Sequence, residues 1–296
     1  MAQSSTALAE PMDPPRSRVS GLDENVLSNR NFERLARHIY AYSGIKMPPS
    51  KRTMIEGRLR RCARSVGAAT LNEYCDYLFD HGGLEREEVH LIDAATTNKT
   101  DFFREPAHFD YLTASLLPKM ISEGRTKLKV WSAACSMGAE AYTLAMLFEE
   151  FARTRGRFDY TILGTDLSTR VLDQALSGVF SEQMIEPVPQ PLRERYLMAA
   201  RDPRRAEVRI VPQIRAKHRF ARLNLMDDRY AVEREMDIIF CRNVLIYFDK
   251  PTQTKVITQL CDHLRPGGYL FLGHSESIAG INVPVDTVAN TVFRRR

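Results

Sequence analysis

The period of the apolar positions changes partway along the chain. From Asn31, the residues Phe32, Leu35, Ala36, Ile39, Tyr40 and Tyr42 recur at three-and-four spacing until Gly44, which predicts a helix that stops there. A second helix should start near Pro48-Pro49-Ser50, with Met54, Ile55, Leu59 and Cys62 inward. Two more are expected at Leu71 to Phe79 and Glu85 to Ala95, separated by His81-Gly82-Gly83. Further on, short apolar runs of strand length alternate with helical spacing. Leu128 to Ala134, Thr161 to Thr165, Phe220 to Leu225, Asp237 to Cys241 and Tyr269 to Gly273 read as strands. Gly138 to Phe151, Ser168 to Ser177 and Thr252 to Leu264 read as helices between them. Such alternation predicts a parallel sheet covered on both faces. Val285 to Val288 and Thr291 to Arg294, around Ala289-Asn290, predict a terminal antiparallel hairpin.

Three stretches break these patterns. Residues 1–28 are rich in Pro, Ser and Ala, which predicts a disordered tail. Residues 96–109, TTNKTDFFREPAHF, fit neither period and read as a loop anchored by Phe102 and Phe103, with a helix beginning near Glu105. Asn98 and Thr100 either cap that helix or face a ligand. Gly178 to Lys217 carries five prolines and a short alternation at Val208 to Ile210, so an inserted subdomain is expected there. The division is thus a helical domain over 29–95, a linker over 96–109 and an α/β domain over 110–296, with the insertion at about 178–217.

Composition adds few constraints. No run of eighteen apolar residues and no signal-like core appear, so a cytoplasmic protein without direct membrane insertion is expected. Five scattered cysteines with no Cys-x-x-Cys spacing read as reduced thiols, and no metal site is expected. A net charge of +5 does not by itself imply nucleic acid. Its distribution is more informative. Arg52, Arg58, Arg60, Arg61 and Arg64, with Lys51, crowd the second helix against a single acid, Glu56, which reads either as a solvated face or as a docking surface for something acidic.

Chemistry concentrates where the first strand ends. Ala134-Cys135-Ser136-Met137-Gly138 holds one glycine, whereas a pyrophosphate loop needs Gly-x-Gly-x-x-Gly and a phosphate loop needs Gly-Lys-Ser/Thr. The next strand ends Gly164-Thr165-Asp166, which places a carboxylate where ribose hydroxyls are held. Adenosine without pyrophosphate fits this pair, and S-adenosylmethionine is the natural candidate.

The segments TTNKTDFFREPAHF, VWSAACSMGAEAYTLAM, LGTDLS, FCRNVLIYFDK and GGYLFLGHSES, in this order behind a small basic helical domain, resemble the CheR family of chemotaxis receptor glutamate methyltransferases. The resemblance runs from about residue 30 to the end. It implies a class I, Rossmann-like methyltransferase sheet with a terminal antiparallel hairpin, an inserted small β-subdomain and an N-terminal all-α domain. It also implies methyl esterification of glutamates on the cytoplasmic helices of chemoreceptors, with S-adenosylhomocysteine as product. Cofactor contacts carried over from the family fall on Asn98, Thr100, Arg104, Glu140, Asp166, Asn224, Leu225, Asn243 and Val244, and Arg104 and Tyr247 would lie near the transferred methyl. The basic second helix would dock the substrate helix.

Two departures stand out. Where the family commonly has Gly-Glu-Glu-Pro-Tyr, this chain has Gly138-Ala139-Glu140-Ala141-Tyr142. The subdomain that captures a receptor tail peptide in some members lacks its glycine-bearing loop, replaced by Ala199 to Arg205. A nucleic-acid methyltransferase and a catalytically silent cofactor-sensing adaptor are the competing classes. The first lacks an acidic Pro-Pro-aromatic run, and intact Arg104, Asp166 and Tyr247 argue against the second.

Overall fold

The computed structural model describes residues 26–296 apart from 157 and 203, so the expected tail falls outside the described residues as far as residue 25. Its last part is structured. Leu27 is buried and donates its N–H to Glu56, and Ser28 caps the first helix through the N–H of Asn31. That helix, α1 (Asn29–Ser43), ends at Gly44, whose φ is 71°. A Cβ there would lie 2.6 Å from Met226 Sδ, so the turn needs glycine for both conformation and clearance. With α2 (Arg52–Ser65), α3 (Leu71–Asp80) and α4 (Leu84–Ala95), it encloses a core that includes Leu35, Ile39, Ile55, Leu59, Tyr74 and Ile92. Two details differ from expectation here. Tyr40 is exposed and donates to Asp249 of the other domain, while Glu56 is buried, taking the Leu27 N–H and lying 3.9 Å from Arg52 Nε one turn away, so it is no part of the exposed basic side.

The remaining chain runs α5 (Pro106–Tyr111), a wide π-type turn, α6 (Leu117–Ser122), β1 (Lys127–Ala133), α7 (Ala139–Arg155), β2 (Asp159–Asp166) and α8 (Thr169–Ser177). The insertion follows as β3 (Val179–Ser181), α9 (Gln190–Tyr196), β4 (Leu197–Ala199), β5 (Glu207–Ile210) and α10 (Pro212–Arg215). It forms its own antiparallel sheet in the order β3-β5-β4. Then come β6 (His218–Arg222), β7 (Met236–Cys241), α11 (Lys250–His263), β8 (Leu264–Leu272) and the hairpin β9 (Val285–Ala289) and β10 (Val292–Arg295).

The large sheet is ordered β6-β2-β1-β7-β8-β10-β9, parallel except for the final hairpin. Strand alternation splits its burial between two cores. Val130, Ile238 and Phe240 face α5 to α7, whereas Trp131, Ile239 and Cys241 face α11. The β6 strand stops before the predicted Leu225 because the Asn224 side chain accepts the N–H of Met226 and turns the chain. All five cysteines are free thiols, and four are buried. No helix among the described residues is long and apolar enough to cross a membrane.

Candidate functional site

At the carboxyl ends of β1, β2 and β7 lies a cleft of about 1060 Å³, open mouth included, roofed by Ser43 and Ile45 from the helical domain. Its floor is the turn after β1. Ala134 and Ser136 take positive φ there, and Gly138, at φ 89°, could not carry a side chain without pressing on Ala175. The Ser136 N–H donates to Asp166 Oδ2 at 2.8 Å, and the Ser168 N–H donates to Oδ1 at 3.0 Å. One lone pair on each oxygen is left for hydroxyl donors. Burial raises the pKa of Asp166, with these N–H bonds acting against it.

Glu140, in the first turn of α7, accepts from Ser132 Oγ at 2.6 Å and lies 3.5 Å from Arg242 Nη1. Burial raises its pKa, and the Arg242 charge opposes the rise. The other guanidinium arm of Arg242 is 3.2 Å from Glu105 Oε2 and also donates to the Arg104 carbonyl. Burial alone would raise the pKa of Glu105, yet the Asn243 amide, 2.9 Å away, and Arg242 bring it below its usual value. Glu105, His108 and His274 converge on one point, where the Arg242 guanidinium supplies the positive charge.

The linker covers the cleft. Phe102 is buried edge-on against Phe180, and the Phe103 N–H donates to Thr143 Oγ1. Asn98, Thr100 and the half-buried Arg104 line the space, and Arg104 Nη1 donates to the Lys99 carbonyl. Asn98 and Thr100 cap no helix: α5 starts at Pro106, after Glu105 in a left-handed conformation with no side-chain cap. Ser136 Oγ ties the linker down through the Asn98 carbonyl.

Leu225, Val244 and Tyr247 line the cleft together with Asn224 and Asn243. The Asn224 amide also donates to the Tyr42 carbonyl, so its side chain clamps the two domains at the edge of the cleft. Likewise, the N–H groups of Asn243 and Val244 point at the Glu276 carboxylate, which also takes those of Leu245 and Gly273. This four-point grip fixes the turn that carries Tyr247. The Lys51 ammonium sits 5.2 Å from the centre of the Tyr247 ring.

Residues 98–293 match the family described as CheR methyltransferase, SAM binding domain, and residues 30–96 match its all-alpha domain. The chain belongs to the CheR methyltransferase family. It is 36% identical over 279 residues to chemotaxis protein methyltransferase 2 of Pseudomonas aeruginosa, covering 94% of this chain and 97% of that one. The chemotaxis protein methyltransferase of Borreliella burgdorferi is 34% identical, at 86% and 90% coverage. That of Escherichia coli is 34% identical, at 90% and 91%. The α/β portion is therefore an S-adenosylmethionine-binding methyltransferase domain.

Against this CheR frame, the sequence reading overlooked Arg242, Glu105 and Glu276. All three lie inside the motifs that carried the resemblance. A charged residue directly after the wholly buried strand β7 was the available signal for Arg242. Two α2 arginines also need correction. Arg58 donates to the carbonyls of Ala94 and Thr96, and Arg52 bonds Asn29 and packs over Phe32, so neither is a free docking group. Arg60, Arg61 and Arg64 are exposed.

Proposed function

We propose that this chain transfers a methyl group from S-adenosylmethionine to glutamate side chains on the cytoplasmic helices of chemoreceptors, forming methyl esters. The observation that carries this reading is one cleft holding two kinds of group. Asp166 and Glu140 suit the ribose and the ammonium of the cofactor, while Arg104 and Tyr247 suit a carboxylate.

When bound, the cofactor supplies an electrophilic methyl on a sulfonium. A glutamate, with a reference pKa of about 4.3, arrives ionised, so the protein needs no strong base. One carboxylate oxygen forms the new O–C bond as the S–C bond breaks, and sulfur keeps the electron pair. Both charges fade along that path. Excluding water and fixing an approach of roughly 3 to 3.5 Å therefore carries most of the rate. Arg104 orients the carboxylate through its guanidinium, held by the Lys99 carbonyl so that it does not collapse onto the nucleophile. Tyr247 donates its phenol to the other oxygen or packs against the sulfonium.

Along α2, a rise of about 1.5 Å per residue places Arg60 about 13 Å and Arg64 about 20 Å beyond Lys51, which stands over Tyr247. Arg60 and Arg64 lie on the side of α2 turned away from Lys51, so with Arg61 they would attract a glutamate-rich helix by charge complementarity and not through a shared face with Lys51. Base-labile methanol release from receptor membranes incubated with methyl-labelled cofactor tests the proposal. Its absence across a receptor panel would remove it.

A further inference from the structure

We propose that Arg242 is a positioning residue that holds Arg104 at the reacting end of the cleft and ties its place to Glu140 at the cofactor end, an inference that rests on the function proposed above. The Arg242 side chain is only 2% exposed and rests over the rings of Phe109 and Phe240. Among the described residues its polar partners are three: the Arg104 carbonyl, Glu105 and Glu140.

Arg104 needs such a hold. It lies between Phe103 at φ 54° and Glu105 at φ 57°, left-handed conformations that side-chain-bearing residues avoid and that persist only where surrounding contacts enforce them. Thr143 pins the first of these, and Arg242 with Asn243 pins the second.

Charge completes the link. One guanidinium faces two carboxylates, Glu105 and Glu140, so an acid remains uncompensated at the cofactor end. An ammonium arriving at Glu140 supplies the missing charge and frees Arg242 to grip Glu105 and the Arg104 carbonyl more fully. Cofactor binding thereby firms the placement of Arg104 before the acceptor enters.

The test uses the full chain with Arg242→Lys, Arg242→Gln, Glu105→Gln and the Arg242→Gln/Glu105→Gln double variant. Methyl-ester kcat and S-adenosylhomocysteine affinity are measured together with hydrogen exchange over residues 98–105, with and without S-adenosylhomocysteine. Expected are kcat losses of at least tenfold for Arg242→Gln and Glu105→Gln, product affinity within fivefold of the parent, and a double variant no worse than twofold below the lower single. Arg242→Lys should fall between. Product should slow exchange over 98–105 in the parent and fail to do so in Glu105→Gln, a readout that needs no acceptor. The inference is overturned if Glu105→Gln keeps kcat within twofold, if affinity falls as far as kcat, or if product slows exchange equally in parent and variant. Should Arg242→Gln not fold, Glu105→Gln and Arg242→Lys decide alone. Absence of any ester in the parent removes the proposed function, while the exchange arm still decides the coupling.

Discussion

The Asn224 side-chain amide donates a 2.7 Å hydrogen bond to the Tyr42 carbonyl, joining the turn after β6 to the end of α1. Its other atom accepts from the Met226 N–H, and Arg222 reaches the Tyr42 phenol alongside. Asn224→Ala would leave a donor and an acceptor unpaired in a partly buried seam, at a cost of about 1–3 kcal/mol. Chemical denaturation should show that loss. Ser43 and Ile45, next along the chain, roof the cleft, so S-adenosylhomocysteine affinity should weaken as well. Unchanged affinity would mean that the roof contributes nothing to the cofactor.

Asp166 accepts two backbone N–H bonds and has one free lone pair per oxygen. In Asp166→Asn, the amide nitrogen must face a donor, either Ser136 or Ser168, and can no longer accept from a ribose hydroxyl. Calorimetry with S-adenosylhomocysteine should show affinity about 10- to 100-fold weaker, the size of one or two charge-assisted hydrogen bonds. An affinity within twofold of the parent would show that the ribose is held elsewhere.

How far the sequence could be read follows from what kind of interaction decides each feature. The α1 to α4 helices, the alternating sheet and the hairpin rest on local periodicity, and their positions were legible within a few residues. Asp166 was legible too, because a strand-end carboxylate is a local pattern. Arg242 was not: its meaning depends on Glu105 and Glu140, 137 and 102 positions earlier in the chain, brought together only by the fold. The same holds for Glu276, whose four N–H partners come from two separate turns. Arg58 was misread for the complementary reason. A run of arginines gives no sign of which one will find carbonyls at the end of α4.

That difference separates the α2 arginines by experiment. Arg58→Ala removes two charge-assisted bonds to the carbonyls of Ala94 and Thr96 and should cost about 1.5–3 kcal/mol of stability. Replacing Arg60, Arg61 and Arg64 together by Glu should leave stability within about 0.5 kcal/mol per site, because they are exposed and none pairs with an acid among the described residues. Receptor KM should rise severalfold in that triple variant while S-adenosylhomocysteine affinity holds. If KM does not move, the face is merely solvated.

Tyr247→Phe isolates the phenol. The ring, its contact with Lys51 and the grip of Glu276 on the turn all survive, so fold and product affinity should persist. If the phenol donates to the acceptor carboxylate in the transition state, kcat should fall about 10- to 100-fold, the worth of a hydrogen bond to a charged group. A wild-type kcat with raised receptor KM would instead assign Tyr247 to ground-state binding.

His108 gives the fold a measurable pH dependence. Its ring is buried between Phe271 and His274, with Nε2 2.9 Å from Thr291 Oγ1. Burial, reinforced by the nearby Arg242 charge, lowers its pKa to about 4. A histidine in the unfolded chain titrates near 6.5. Between these values the unfolded chain binds the extra proton and the folded one does not, so stability falls as pH drops from about 6.5 toward 4. Above that window the contribution is fully present. Glu105, held below its ordinary range, works in the same direction but only once pH falls through the usual carboxylate region, so the two contributions separate along the pH axis. In His108→Gln, whose amide can still meet Thr291, the melting temperature should change less between pH 6.5 and 5 than in the parent. An equal slope in both proteins would assign the acid sensitivity to other groups.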